Sequence, residues 1–543
     1  MTATAADAVV VGAGPNGLVA ANLLADAGWD VVVLEAQAEP GGGVRSAGYL
    51  GPDYVADVCS AFYPLALASP VISGFDLDRY GLRWSHAPAV LAHPLLDGRC
   101  AVLWRDPERT AAGSEALGSG DGDAWRRLWG LWEQVGGPFI DALFTAFPPV
   151  RAGLRLAARV RAVGALRMAR LGTLPVRRLV EEEFTGASAL LLAGCALHAD
   201  LSPEAVGSAL YGWLLCMLGQ EYGFPVPEGG AGRLTEALVA RLKQHGGLLR
   251  CETPVEEIVV RGGRAVGVRT RGGESVRARR AVLADVAAPL LYGGLVGWAD
   301  LPGRLQDDMR RFQWDFSTVK VDWALSAPAP WKAAEAGQAG TVHLSGSLDE
   351  MTEYCAEIAM GRVPTHPFVL LGQMTTADPT RSPPGTESVW GYTHVPQQVR
   401  GDGAGEGLTG EWDEDELERF ASRVEAQVER FAPGFADRIV ARHILGPAEI
   451  EAHNASAVGG AVGGGTAALH QQLVFRPTPG LGRPETPVRG LYLASSSAHP
   501  GGGVHGACGS NAARAALGAE RIGGGVLYGW RAAAERFLTG RAP

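Results

Sequence analysis

The chain has 543 residues, 47% hydrophobic and 20% charged. That is a globular composition with room for two to four folding units at roughly 150 residues each. It excludes a small disulfide-stapled module, a collagen-like fibre and a disordered tail. The net charge of −10 lacks the basic excess of a nucleic-acid binder.

The seven cysteines are far apart and never form CxxC, which predicts reduced thiols and a cytoplasmic protein. The start, MTATAADAVVVGAG, has no basic region and does not read as a signal peptide. The uncharged apolar stretch Ala205 to Gln220 falls short of the roughly 18 to 20 residues needed to span a bilayer.

Residues 8–11 (AVVV) predict a buried parallel strand. GAGPNG follows, with Gly12, Gly14 and Gly17 in G-x-G-x-x-G spacing, then a helical segment to Gly28 and a second strand, 31–34, closed by Glu35. Gly12 permits the tight turn, Gly14 the approach of a pyrophosphate, and Gly17 close helix–strand packing. The helix that starts at Pro15 offers free N–H groups to phosphate from Asn16 onward. Glu35, with Ala36 beside it, is placed for ribose hydroxyls and repels a 2′-phosphate, which disfavours NADP. Strand, glycines, helix, strand and acid in this order are a specific dinucleotide signature. Gly41-Gly42-Gly43-Val44-Arg45 follows. Pure NAD enzymes have no general need for it, whereas it would let the chain touch the far side of the pyrophosphate.

Two stretches, 111–123 and 401–410, predict exposed loops. Between residues 151 and 180 there are eight arginines and no acid. This predicts a helical lid over an apolar pocket, or a basic amphipathic helix pair touching an anionic membrane. FSTVKVDWALS (316–326) reads as a strand flooring the substrate site, and 413–431 as a charged helix. Near the C-terminus, GLYLASSSAHPGGGVHGACGSNAARAAL (490–517) gives a short strand, a glycine turn over Pro500–Gly503 and a helix from about Cys508. The positive end of that helix suits the pyrimidine edge of a flavin, where reduction places negative charge.

These segments resemble the FAD enzymes of the phytoene desaturase and amine oxidase superfamily. The residues that carry the likeness are the Glu35-x5-Gly-Gly spacing, PEGGAGRLTEALVARLKQHGGLLRCETPVEEIVV in the middle, and GLYL…HPGGGVHGACGSNAA at the end. They are similar to carotenoid desaturases and isomerases, and particularly to the pyridine nucleotide-disulfide oxidoreductase domain-containing protein 2 group. The resemblance implies an α/β fold with a Rossmann-type FAD domain of the GR2 or amine oxidase type, discontinuous over 1–75, 225–300 and 450–543. An α+β substrate domain would occupy 76–224 and 301–449, with 151–180 as its lid. Non-covalent FAD would be held by Gly12, Gly14, Pro15, Asn16, Gly17, Glu35, Ala36, Gly42, Gly43, Val44, Arg45, Ser497, Pro500, Gly501, Gly502, Gly503 and Val504. Val255 is the expected adenine neighbour.

The implied activity is dehydrogenation or isomerisation of an apolar, polyene or terpenoid-like substrate by hydride transfer to flavin N5. Oxygen or a quinone would reoxidise the flavin. His499 and His505 flank the glycine turn and are candidates for moving a proton or polarising substrate, and Lys320 for a place near N5. Cys508 is a candidate tether, though a packing role suits it better. Ala494-Ser495-Ser496-Ser497 stands where amine oxidases usually place Ala-Gly-Glu, which weakens an amine oxidase reading. Without CxxC, disulfide reduction is excluded, and neither HExxH nor GxSxG occurs, so no metal site or hydrolase elbow is expected. The alternatives are an oxidase of an amine or another small natural-product intermediate, and a non-catalytic lipid carrier, which would not need the glycines.

Overall fold

The computed structural model describes residues 5–520 and 533, apart from the side chains of 160–163 and 165. Residues 1–4, most of 521–543 and the side chain of Arg161, all within segments assigned above, lie outside the described residues. Two seven-stranded sheets organise the chain.

The first sheet begins with β1 (Ala5–Val11), followed by α1 (Pro15–Asp26) and β2 (Val31–Leu34). The β-branched run makes Val9–Val11 of β1 and all of β2 apolar and buried, as a parallel sheet covered by helices requires. Four further strands from the middle of the chain add to this sheet: β5 (Leu248–Arg250), the hairpin β6 (Val255–Arg261) and β7 (Arg264–Thr270), and β8 (Ser275–Ala284). β14 (Leu491–Leu493) completes it. β5, β2, β1, β8 and β14 are mutually parallel. The long β8 pairs with β7 near its start and with β14 at its end. α1 is buried from Asn16 to Ala25 except Leu23, packed beneath α6 (Gly232–Gln244) and α8 (Ala507–Ala519). Asn22 donates to the Leu238 carbonyl, and Arg241 of α6 pairs with Asp26 at 2.9 Å.

The second sheet runs β13 (Ile439–Leu445), β9 (Ser317–Leu325), β12 (Glu387–Val395), β11 (Val369–Gln373), β10 (Ala339–Leu344), β3 (Ala89–Pro94) and β4 (Cys100–Leu103). β9 is the strand expected at 316–326, and every one of its residues is buried. Its alternation separates two covered faces rather than core from solvent. Val319, Val321, Trp323 and Leu325 pack towards α7 (Glu414–Glu429), whose start is capped by Asp413 accepting from the Glu416 N–H. Over the other face lie α2 (Asp121–Phe144), α3 (Val150–Leu171), α4 (Ala189–His198) and α5 (Ser208–Tyr222).

One expected loop is largely helix. Residues 107–117 are helical, with Asp106 capping them, and only 118–120 turn before α2. The alanines of that stretch outweigh its glycines, and Ala111 is buried against α2. The Arg-rich segment folds as α3 followed by a second helix, Val176–Glu183. Among the described residues no helix is long and apolar enough to cross a membrane.

Candidate active site

A cavity of about 1210 Å³ runs from the carboxyl ends of the first sheet to the face of the second. Its first end is built almost entirely from backbone. α1 starts at Gly14 with Pro15 in its first turn and no side-chain cap, leaving N–H groups free for an anion. Gly12 has φ +94°, and a Cβ on Gly17 would come within 2.3 Å of the Gly12 carbonyl oxygen. No other residue type fits that approach. A Cβ on Gly42 would lie only 3.5 Å from the Gly14 Cα, so the two glycine turns stand face to face. Together they make a wall without side chains, against which a pyrophosphate would lie beside the free N–H groups of α1.

The other expected residues divide by where they stand. Gly12, Gly14, Pro15, Asn16, Glu35, Ala36, Gly42, Gly43, Val44, Val255, Pro500, Gly502, Gly503 and Val504 line the cavity. Gly17, Arg45, Ser497 and Gly501 do not, and each braces the wall from behind. Gly17 donates to Asp285 at 2.7 Å. Arg45 donates to the Gly42 and His453 carbonyls. Ser497 donates to the Gly464 carbonyl and accepts from the Ala288 N–H. Gly501 lies over the Arg476 guanidinium. At the wall itself, Ser495 and Ser496 stand where Ser497 was expected. The Glu35 carboxylate is anchored by the Ala13 and Gln37 N–H groups, at 2.7 and 2.9 Å, and still faces the cavity.

His505 has both ring nitrogens engaged in the glycine turn: Nδ1 accepts from the Ala507 N–H at 3.0 Å and Nε2 donates to the Gly501 carbonyl at 3.2 Å. Burial pushes it down to about 4. It is a neutral ring of fixed tautomer with no site left for proton transfer. His499 is also lowered to about 4 by burial; Nε2 donates to the Thr145 carbonyl and Nδ1 finds no partner among the described residues. Lys320 lines the cavity, buried, and pairs with Asp322 two residues along β9. Cys508 is fully buried outside the cavity wall, its thiol pushed up to about 12.

Comparison with known proteins agrees with this geometry. Residues 10–88 match the NAD(P)-binding Rossmann-like domain family, and residues 154–291 match the flavin containing amine oxidoreductase family. Along 93% of its length the chain is 28% identical to pyridine nucleotide-disulfide oxidoreductase domain-containing protein 2 of Rattus norvegicus, covering 92% of that protein. It is 31% identical over 53% of its length to hydroxyneurosporene desaturase of Cereibacter sphaeroides, covering 57% of that enzyme. In fold it is similar to putrescine oxidase bound to putrescine, with TM-score 0.61 and 17% identity over 94% of this chain and 98% of that one. The chain is an FAD-dependent oxidoreductase, similar to the amine oxidases and the carotenoid desaturases.

In this flavoprotein several functional positions escaped the sequence. Asp285, just beyond β8, lies against both Gly14 and Gly17. Burial, aided by the charge of Glu35 and opposed by the Gly17 N–H, raises it to about 7. Arg476 is fully buried and donates to the carbonyls of Gly463, Gly465, Thr466 and Ser496, tying the loops that close the cavity. At the second end stand Asp200, Tyr392 and His394. Asp200 holds His394 Nε2 at 2.7 Å from a left-handed conformation, φ +60°, uncommon outside glycine. The left-handed residue after a helix end could have been suspected from Ala199-Asp200; the pairing with a histidine 194 residues later could not.

Proposed function

We propose that the protein dehydrogenates or isomerises an apolar, polyene- or terpenoid-like substrate. The observation that carries this reading is the continuity of the glycine cradle with a large, mainly apolar cavity. Phe139, Phe144 and Phe147 from α2 and the segment after it, with Leu156 of α3 and Leu210 and Leu214 of α5, cover the side away from the second sheet. Such walls recognise shape and area. They bind, orient and exclude water. Bound FAD supplies a two-electron acceptor. Oxygen or a quinone is the proposed terminal acceptor. The likeness to a carotenoid desaturase supports the reading.

A second reading, oxidation of an amine or another small natural-product intermediate, is favoured by the family match over residues 154–291. Against it, Asp322 is paired with Lys320 and Asp200 with His394, so among the described residues of the cavity floor no carboxylate stands unpaired to receive an ammonium group.

The test begins with an absorption spectrum before and after acid precipitation. Flavin bands released to the supernatant establish non-covalent FAD. Anaerobic titration with a panel of isoprenoids and amines then decides the substrate class. Bleaching by isoprenoids alone is expected; bleaching by amines alone overturns the reading in favour of the second.

A further inference from the structure

The face of the second sheet that floors the cavity is not uniformly apolar. Register places Lys320 of β9 opposite Tyr392 of β12, Tyr392 opposite Leu370 of β11, and Leu370 opposite His343 of β10. Directly paired residues project on the same face, so these four form one row across the floor. His198, the last residue of α4, comes down over the row. Its Nδ1 lies 3.5 Å from the Tyr392 hydroxyl, and its ring centre 6.4 Å from that of His343.

His198 is exposed, yet its ring lies deep in the molecule, so its exposure is to the cavity. Tyr392 is half-buried and lines the same space. The 3.5 Å contact between them is too long to satisfy either group well. Behind them both nitrogens of His343 are buried without a partner among the described residues, and Nδ1 is packed so closely that a Cβ on Gly194 would stand 2.3 Å away. A pure hydrocarbon drawn over this spot would strip water from Tyr392 and His198 and give nothing in return.

The charge at this spot is already balanced. Asp200 is engaged by His394, and Lys320 by Asp322. Burial keeps His198 unprotonated, lowered to about 4, and holds the Tyr392 hydroxyl in its protonated form. What remains is a neutral donor and a neutral acceptor, in a recess one strand away from the buried lysine.

Resting on the apolar-substrate reading above, we infer that the substrate carries a neutral oxygen function, a hydroxyl or carbonyl, that binds between Tyr392 Oη and the His198 ring. The hydroxyl of Tyr392 donates to that oxygen, and the imidazole of His198 accepts from a hydroxyl or donates to a carbonyl. The apolar remainder lies against the α2, α3 and α5 side of the cavity. Tyr392 and His198 are thus specificity-determining residues of the cavity.

Calorimetric titration of the FAD-loaded protein with a matched pair of probes, the hydrocarbon farnesene and the alcohol farnesol, tests this without reference to turnover. Wild type is expected to bind farnesol about 10-fold or more tighter than farnesene. In Tyr392→Phe, and separately in His198→Leu, that preference should shrink to about 3-fold or less while farnesene affinity holds or rises. Unchanged flavin absorbance in both variants shows that the fold is intact, and either variant alone suffices. Equal binding of the two probes by wild type, or a preference that survives both substitutions, overturns the inference and leaves the apolar-substrate reading standing. Failure of both probes to bind overturns that reading as well.

Discussion

The two ends of the cavity are built by opposite means. At the first, glycines remove side chains so that backbone N–H groups and a helix start can grip a cofactor; at the second, side chains from β9, β12, β10 and the end of α4 converge on one recess. The first construction is local in sequence, fitting within residues 12–45. The second brings together residues from 198 to 394, and only strand register aligns them. Backbone sites therefore announce themselves in a sequence, and the cofactor is legible where the substrate is not.

The comparison breaks most sharply where the two ends are joined. Arg381 is fully buried and pairs with Asp57, on the flavin side, at 2.8 Å and with Asp378 at 3.1 Å. Replacing it by Met leaves two buried carboxylates uncompensated. The expected loss is about 3–5 kcal/mol, read as a lower denaturant midpoint with FAD released in the same transition. Two separate transitions would show that the halves unfold independently and that Arg381 does not couple them.

At the first end, Gly17→Ala places a methyl 2.3 Å from the Gly12 carbonyl oxygen. The Gly12 backbone on one side and the buried Asp285 side chain on the other leave little relief, so α1 must lift from the turn. The expected cost is about 3 kcal/mol, accompanied by a colourless preparation. Gly28→Ala, at φ +78° with open space around it, should cost about 1 kcal/mol and keep its colour. Equal FAD content in both would contradict the cradle argument.

A subtler probe is pH. Asp285, raised to about 7, holds its proton more tightly in the folded protein than in the unfolded chain. Its contribution is whole below the ordinary carboxylate value of 3.8 and is lost as pH rises towards 7. A phosphate anion at the neighbouring helix start acts in the same direction, so FAD affinity should fall between about pH 6 and pH 8. Asp285→Asn keeps an oxygen for the Gly17 N–H and should flatten the profile; an identical slope in the variant assigns the titration elsewhere.

The sequence carried the Rossmann order, the second glycine turn and the C-terminal helix because each depends on neighbours a few residues apart. It placed His505 beside the cofactor but not the tautomer that disables it, since that follows from the hydrogen bonds of a folded turn. Asp285 was hidden because a lone acid after a strand is ordinary until β8 is seen to pair with β1. Residues 111–117 misled through Gly113 and the glycines that follow at 118, 120 and 122, which the buried packing of Ala111 overrides. Lys320 was visible as one of three lysines, but its partner Asp322 sits on the same strand, and an i, i+2 pair reads as an ion pair only once both faces are known to be covered.

The smallest expected effect concerns α3, which closes the cavity from outside. Its inner face contributes Leu156 to the cavity wall, while Val150, Leu154 and Leu166 are 61%, 67% and 73% exposed. Arg155 and Arg170 on the same helix are matched by Asp141 and Glu182, so its positive charge is partly cancelled within the molecule. We propose that this face rests on an anionic membrane, from which an apolar substrate would enter beneath α3. Because the three side chains touch little, Leu154→Ser with Leu166→Ser should change stability by less than about 0.5 kcal/mol. The same pair should weaken sedimentation with phosphatidylglycerol vesicles several-fold, since burial of each leucine in the interface is worth about 1.5–3 kcal/mol at most. Vesicle binding that is absent in wild type, or unchanged in the double variant, would leave α3 as a lid alone.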